Sequence, residues 1–270
     1  MSAPVRPSAV AGRFYPGTAG EVARALAQLS PSDVEPVEAI ALMVPHAGWI
    51  YSGAIAAQTW ASAKIPARVV IICPNHTGQG ARRSIWSGGP WQVPGGHVEV
   101  DATLTDALAQ TCALTPDVQA HLREHAIEVQ LPMLQALRPD VRIAAICLGG
   151  LDAAACARLG EGLAQVVAGY DEPPLLVASS DMSHYVSADE AAALDELALT
   201  RALALDPDGL HAVVHRERIS MCGVVPMTVA LHAARRLGAR SARLVRYGNS
   251  GERSGDYDRV VGYAGVLVTA

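Results

Sequence analysis

The chain has 270 residues, 50% of them hydrophobic, which is enough to bury one substantial core, and nothing in its composition divides it, so a single domain over 1–270 is expected. A formal net charge of -5 without a basic cluster excludes a nucleic-acid binder, because neutralising phosphates needs grouped Lys and Arg. Lys64 is the only lysine, which disfavours Schiff-base chemistry, and the absence of a charged leader or of about 18 consecutive apolar residues predicts a cytoplasmic protein that does not enter the membrane.

In chain order, Ala11-Gly12-Arg13-Phe14-Tyr15-Pro16 places an aromatic pair, read as a packing anchor, before a helix-like run from Thr18 to Leu29. After the polar connector Pro31 to Glu38, the apolar run Ala39 to Val44 enters Pro45-His46-Ala47-Gly48, the pattern of a buried strand that ends in a functional loop. Trp49, Tyr51, Ser52 and Gly53 lead into an Ala-rich helix that ends near Lys64. Arg68 to Cys73 repeats the first pattern and ends in Pro74-Asn75-His76. Gly78 and Gly80 then form a GxG without the third glycine or the following helix of a dinucleotide loop.

Ser84 to Val100 reads as short strands and turns, and Asp101 to Cys112 as a helix opened by an acid. A further helix is expected from Glu124 to Leu137, kinked at Pro132, with His125 and Glu128 three apart on one face. That pair suits a site and a solvated surface equally. Val141 to Leu148 is a strand, Asp152 to Ala168 a helix, and Pro174 to Ala178 a strand running into Ser179-Ser180-Asp181-Met182-Ser183-His184-Tyr185. Ser187 with Glu190 carries a capping-box signature for the next helix.

Beyond Leu205 and a short helix around Leu210 to His215 comes Ser220-Met221-Cys222-Gly223, then a helix from Val224 to Leu237 framed by Pro226 and Gly238. Cys222 at its entrance meets the positive end of the helix dipole, which favours thiolate. The other cysteines lack paired spacing, and Cys73, Cys147 and Cys156 read as buried packing thiols. Strands Arg240 to Tyr247 and Val260 to Val268 close the chain.

The alternation predicts an α/β fold, a three-layer αβα sandwich with a mostly parallel central sheet. Ligands in such sheets bind outside the carboxyl ends of the strands. His46, His76, His184 and Cys222 all stand on such loops without the spacing of a local zinc finger, so only the fold can bring them together. Imidazoles with a thiolate suit iron, copper or zinc, whereas magnesium and calcium prefer oxygen donors. Nucleophilic use of Ser180 or Ser183 with His184 and Asp181 is less favoured, because no G-x-S-x-G elbow is present.

The stretches at 11–16, 45–53, 74–76 and 179–185, together with Glu124-His125-Ala126-Ile127-Glu128, Met221-Cys222-Gly223 and Val261-Gly262-Tyr263, together resemble the MEMO family, whose bacterial and archaeal members are called AmmeMemoRadiSam system protein B. That family is similar in fold to the class III extradiol dioxygenases. The resemblance implies a metal held by His46, His76 and Cys222, with Asp181 and His184 bordering the pocket as catalytic groups. Cys222 stands where those dioxygenases carry a carboxylate ligand. The expectation is a mononuclear redox enzyme with iron (Fe2+), or alternatively copper or zinc, in which His184 acts as general acid/base. Zinc would make the same site a metal hydrolase. A non-catalytic alternative is a pocket that binds a small molecule or peptide between Trp49, Tyr51 and His125. The family name also implies partnership with AMMECR-type and radical-SAM proteins.

Overall fold

The structure, a computed structural model, describes residues 4–31 and 34–270; Ser32 and Asp33 of the expected connector lie outside the described residues. Along the chain run α1 (Ala19–Leu29), β1 (Ala41–Val44), α2 (Trp49–Ala61), β2 (Arg68–Pro74), β3 (Arg83–Ile85), β4 (Trp91–Val93), β5 (Gly96–Val100), α3 (Ala102–Thr111), β6 (Thr115–Pro116) and α4 (Gln119–Leu122). A 3-10 turn (Glu128–Gln130) opens α5 (Leu131–Leu137), followed by β7 (Arg142–Leu148), α6 (Ala153–Val167), β8 (Leu175–Ser179), β9 (His184–Val186), α7 (Ala188–Leu203), α8 (Pro207–Arg216), α9 (Val224–Arg236), β10 (Ser241–Asn249), α10 (Gly251–Ser254) and β11 (Val260–Thr269).

The sheet runs β10-β11-β1-β8-β2-β7-β3-β6. Its centre, β1-β8-β2-β7, is parallel throughout, whereas β11 joins β1, and β3 joins β7, in antiparallel pairs. Alternate residues of the central strands point to opposite faces. Met43, Val70, Ile146 and Ala178 enter the core beneath α3, α6, α8 and α9. Leu42, Ile71, Ala145 and Val177 enter the core beneath α2, α5 and the N-terminal segment. Burial on both faces explains why these strands read as unbroken apolar runs. Each of the larger of these side chains, Leu42, Met43, Val70, Ile71, Ile146 and Val177, contributes roughly 1.5–3 kcal/mol when fully buried. No helix among the described residues is long and apolar enough to cross a membrane.

The helix starts follow local chemistry. Thr18 and Glu21 form a reciprocal capping box, and the carboxylates of Asp101 and Asp152 and the hydroxyl of Ser187 each accept a first-turn N–H. Gly238 just beyond α9 has φ +92°, the left-handed conformation that ends a helix cleanly.

One expected helix is corrected. Glu124 to Ile127 is not helical; helix geometry begins only with the 3-10 turn, and Pro132 lies in the first turn of α5, where its missing N–H breaks no intrahelical bond. His125 and Glu128 therefore share no helix face. Glu128 is fully buried, accepting from Arg6 Nη1 at 2.7 Å, the Val10 N–H at 2.9 Å and the Tyr15 hydroxyl at 2.9 Å. His125 turns the other way, into the site.

Candidate metal centre

In the sheet β8 lies between β1 and β2, so the three loops that carry His46, Asp181 with His184, and His76 leave adjacent strand ends. The segment before the 3-10 turn adds His125, and the entrance of α9 adds Cys222. The ligand atoms of His46, His76 and His125 lie within 4.8 Å of one another, a group that can hold a metal ion. The ring centroids of His46 are 5.1 Å from His76 and 5.4 Å from His125, and the latter two rings stack at 4.8 Å.

Hydrogen bonds aim the first imidazole. Ser179 Oγ–H donates to the Ala126 carbonyl at 2.7 Å, so Ser179 can only accept from His46 Nδ1–H, 2.9 Å away. The Nε2 lone pair of His46 is thereby left open and faces Cys222 Sγ at 3.3 Å. Gln130 Nε2 steadies the same corner by donating to Ser179 Oγ and to the Pro45 carbonyl. Asp181 Oδ1 accepts the backbone N–H of His46 at 2.7 Å. Glu124, almost fully buried, accepts the His76 backbone N–H at 2.7 Å, His76 Nδ1 at 2.9 Å and the Ala126 N–H at 3.0 Å.

Electrostatics keeps His46 and His125 available as neutral donors. Burial, then the neighbouring His76, pushes His46 down to about 3. Burial and His46 push His125 down to about 4. Burial alone would lower His76, but the hydrogen bond and charge of Glu124 outweigh it and raise the group. Burial would raise Glu124, yet His76 and His125 bring it down to about 2. His46 and His125 are thus in the neutral form in which histidine binds metals, and Nδ1 of His46 and of His76 is already engaged.

Cys222 departs from the sequence expectation. Burial and the charge of Asp181 push its thiol well above the ordinary range, despite the N–H of Asp181 that reaches Sγ at 3.2 Å. Gly223, not Cys222, caps α9, and the Gly223 N–H is taken by Ser180 Oγ at 3.1 Å, so the helix end does not solvate the sulfur. Cys73, Cys112, Cys147 and Cys156 are free and buried.

His184, half-buried in β9, directs Nδ1 to the Ser220 carbonyl at 3.0 Å, which leaves Nε2 unengaged. Ser180 Oγ–H donates to the Asp181 carbonyl at 2.9 Å and Ser183 Oγ is buried without a hydrogen-bond partner, so neither serine pairs with His184. Trp49 is buried, its indole N–H on the Val129 carbonyl at 3.1 Å and its ring against Tyr15. Tyr51 is exposed beside Arg246 and Arg253. The aromatic ring that packs against the imidazoles is Phe14, 4.7 Å from His125, although the sequence marked it only as an anchor. Glu124, Ser179 and Gln130 were also missed. Two acids flanking His125 hinted at Glu124, while nothing local marked Gln130.

Residues 6–267 match the profile of a family described as Memo-like protein. A MEMO1 family protein of Aquifex aeolicus is 40% identical over 267 residues, covering 97% of this chain and 98% of its own length. One from Methanopyrus kandleri is 36% identical, with 97% and 98% coverage. The crystal structure of the uncharacterized protein JW3007 from Escherichia coli K12 superposes with a TM-score of 0.56 at 16% identity, over 85% of this chain and 99% of that one.

Proposed function

This chain belongs to the Memo-like protein family, and on that premise we propose that it is a metal-dependent oxidoreductase whose centre is built on His46 and His76. Iron (Fe2+) is the metal we favour, with copper or zinc as competitors. The observation that carries this reading is the convergence of His46, His76 and His125 within 4.8 Å, with the Cys222 thiol against His46 as a further donor. Among the described residues the donors that converge are imidazole nitrogens rather than an oxygen-rich cage, which speaks against magnesium or calcium.

A bound iron would supply one-electron redox chemistry at the positions that the protein donors leave open. The chain's own residues do the rest. Ser179 and Glu124 hold His46 and His76 with their Nδ1 atoms occupied. Asp181 fixes the His46 backbone. His184, with Nδ1 tied and Nε2 unengaged, takes a proton from a substrate hydroxyl and returns it later as general acid/base. Phe14 covers His125 and limits water on that side. We extend the proposal to a small-molecule or peptide ligand at this mouth and to AMMECR-type and radical-SAM protein partners.

The test is metal content with anaerobic Fe(II), Cu(I) and Zn(II) titration of the wild type, His46→Ala, His125→Ala and Cys222→Ala. One equivalent in the wild type, lost in His46→Ala without unfolding, supports the centre, and the other two variants identify the third donor. Full activity with zinc alone would move the reading to a metal hydrolase. Uptake of no metal by any of the proteins sinks the reading and leaves the pocket as a peptide or protein receptor.

A further inference from the structure

The geometry points to Glu124 as the positioning residue of this centre, a single carboxylate that holds both His76 and His125 with Nδ1 protonated, so that both rings offer Nε2 to the metal. The inference rests on the metal-centre reading above. Oε2 takes the backbone N–H of His76 at 2.7 Å, which fixes where that loop lies, while Oε1 takes its Nδ1 at 2.9 Å, which fixes how the ring turns. The same Oε1 lies 3.4 Å from His125 Nδ1 and accepts the Ala126 N–H at 3.0 Å, so the backbone just beyond His125 is held as well. A carboxylate is acceptor-only, so His76 Nδ1, which is hydrogen-bonded to it, must carry the proton, and the nearness of the same oxygen to His125 Nδ1 favours the same tautomer there. The stacked rings, 4.8 Å apart, then form a matched pair turned the same way.

Glu124 is itself held. Arg6 Nη2 donates to its carbonyl at 2.7 Å, and Arg6 Nε to the His121 carbonyl at 2.9 Å, from a guanidinium with no exposed surface. The carboxylate thus stands on a backbone that cannot swing away, as a rigid support for ligand orientation requires. Glu124→Gln keeps the shape, but its amide has one acceptor and one donor end, and it cannot accept from both the His76 N–H and the ring nitrogens.

The test combines side-chain 15N–1H correlation spectra of 15N-histidine-labelled, metal-free protein with metal titration of the wild type and Glu124→Gln. In the wild type, both His76 and His125 should show protonated Nδ1. In Glu124→Gln at least one of them should shift toward the other tautomer, and metal affinity should fall about 10–100-fold, the usual effect of removing such a support, in a metal-free protein that still unfolds cooperatively. Nδ1 unprotonated in the wild type, or tautomers and affinity unchanged in the variant, overturns the role of Glu124. If the variant does not fold, the wild-type spectrum still decides the tautomers. A wild type that takes up no metal while showing the expected tautomers refutes the metal centre, not the hydrogen-bond clamp.

Discussion

His46 is held from three sides: Asp181 Oδ1 on its backbone N–H, Ser179 Oγ on Nδ1, and Cys222 Sγ against Nε2. Ser179 is the least replaceable of the three, because its hydroxyl also serves the Ala126 carbonyl and the Gln130 amide in a fully buried corner. Ser179→Ala leaves those groups short of a partner, and the expected loss of stability is about 1–3 kcal/mol. Freed to change tautomer, His46 should also lose about 10-fold or more in metal affinity. Denaturant unfolding and metal titration of the variant check both, and a variant with wild-type affinity would show that Ser179 does not orient the ring.

At the scale of elements, a buried ion pair helps to bind the N-terminal segment to the stretch that carries Glu124 and His125. Arg6 and Glu128 meet at 2.7 Å with neither side chain exposed, and the guanidinium lies 4.0 Å over the Trp91 ring. A charge so buried is tolerated only with its partner. Arg6→Met should therefore destabilise by about 3–5 kcal/mol, because Glu128 would be left buried without a counter-charge. Arg6→Met combined with Glu128→Gln should cost clearly less than the sum of the two single changes, since the pair acts as a unit. A double-mutant cycle by chemical denaturation measures this, and simple additivity would refute the coupling. The same elements show why the 124–137 helix was misread: apolar spacing runs through Pro132, but the proline is compatible only with a first turn. That late start leaves Glu124 and His125 on irregular backbone, free to face the sheet edge.

For the whole molecule, the buried imidazoles set the acid limb of stability. His46 and His121 are pushed down to about 3 and His125 to about 4, chiefly by burial. Their folded values lie below the unfolded one, so below pH about 6.5 the unfolded chain binds protons that the folded chain refuses, and stability falls with falling pH. Each such group removes roughly 1.4 kcal/mol per pH unit until its folded value is reached. His76, raised by Glu124, works the other way: its contribution is present below the unfolded value and is lost as pH rises through the folded one. The imidazoles pushed down outnumber it, so urea unfolding of the metal-free protein should show a clear decline from pH about 7 to about 5. A flat profile would mean that these rings are not buried as neutral groups.

The strand-Pro-His runs ending at His46 and His76, the caps at Asp152 and Ser187, and the Gly238 stop follow from local rules, because apolar periodicity and cap chemistry act over a few residues. The sequence by itself therefore determined the layered α/β fold and the strand ends at which the reactive residues stand. Only the tertiary structure decided that β8 lies between β1 and β2, that His125 joins His46 and His76, and that Glu124 and Ser179 aim the rings. Burial and the charge of Asp181 likewise push the Cys222 thiol up, against the expectation from its helix entrance. The physical reason is range: hydrogen bonds between residues 48 to 135 apart, and the desolvation that burial imposes, depend on which elements pack together, and no local window contains that information.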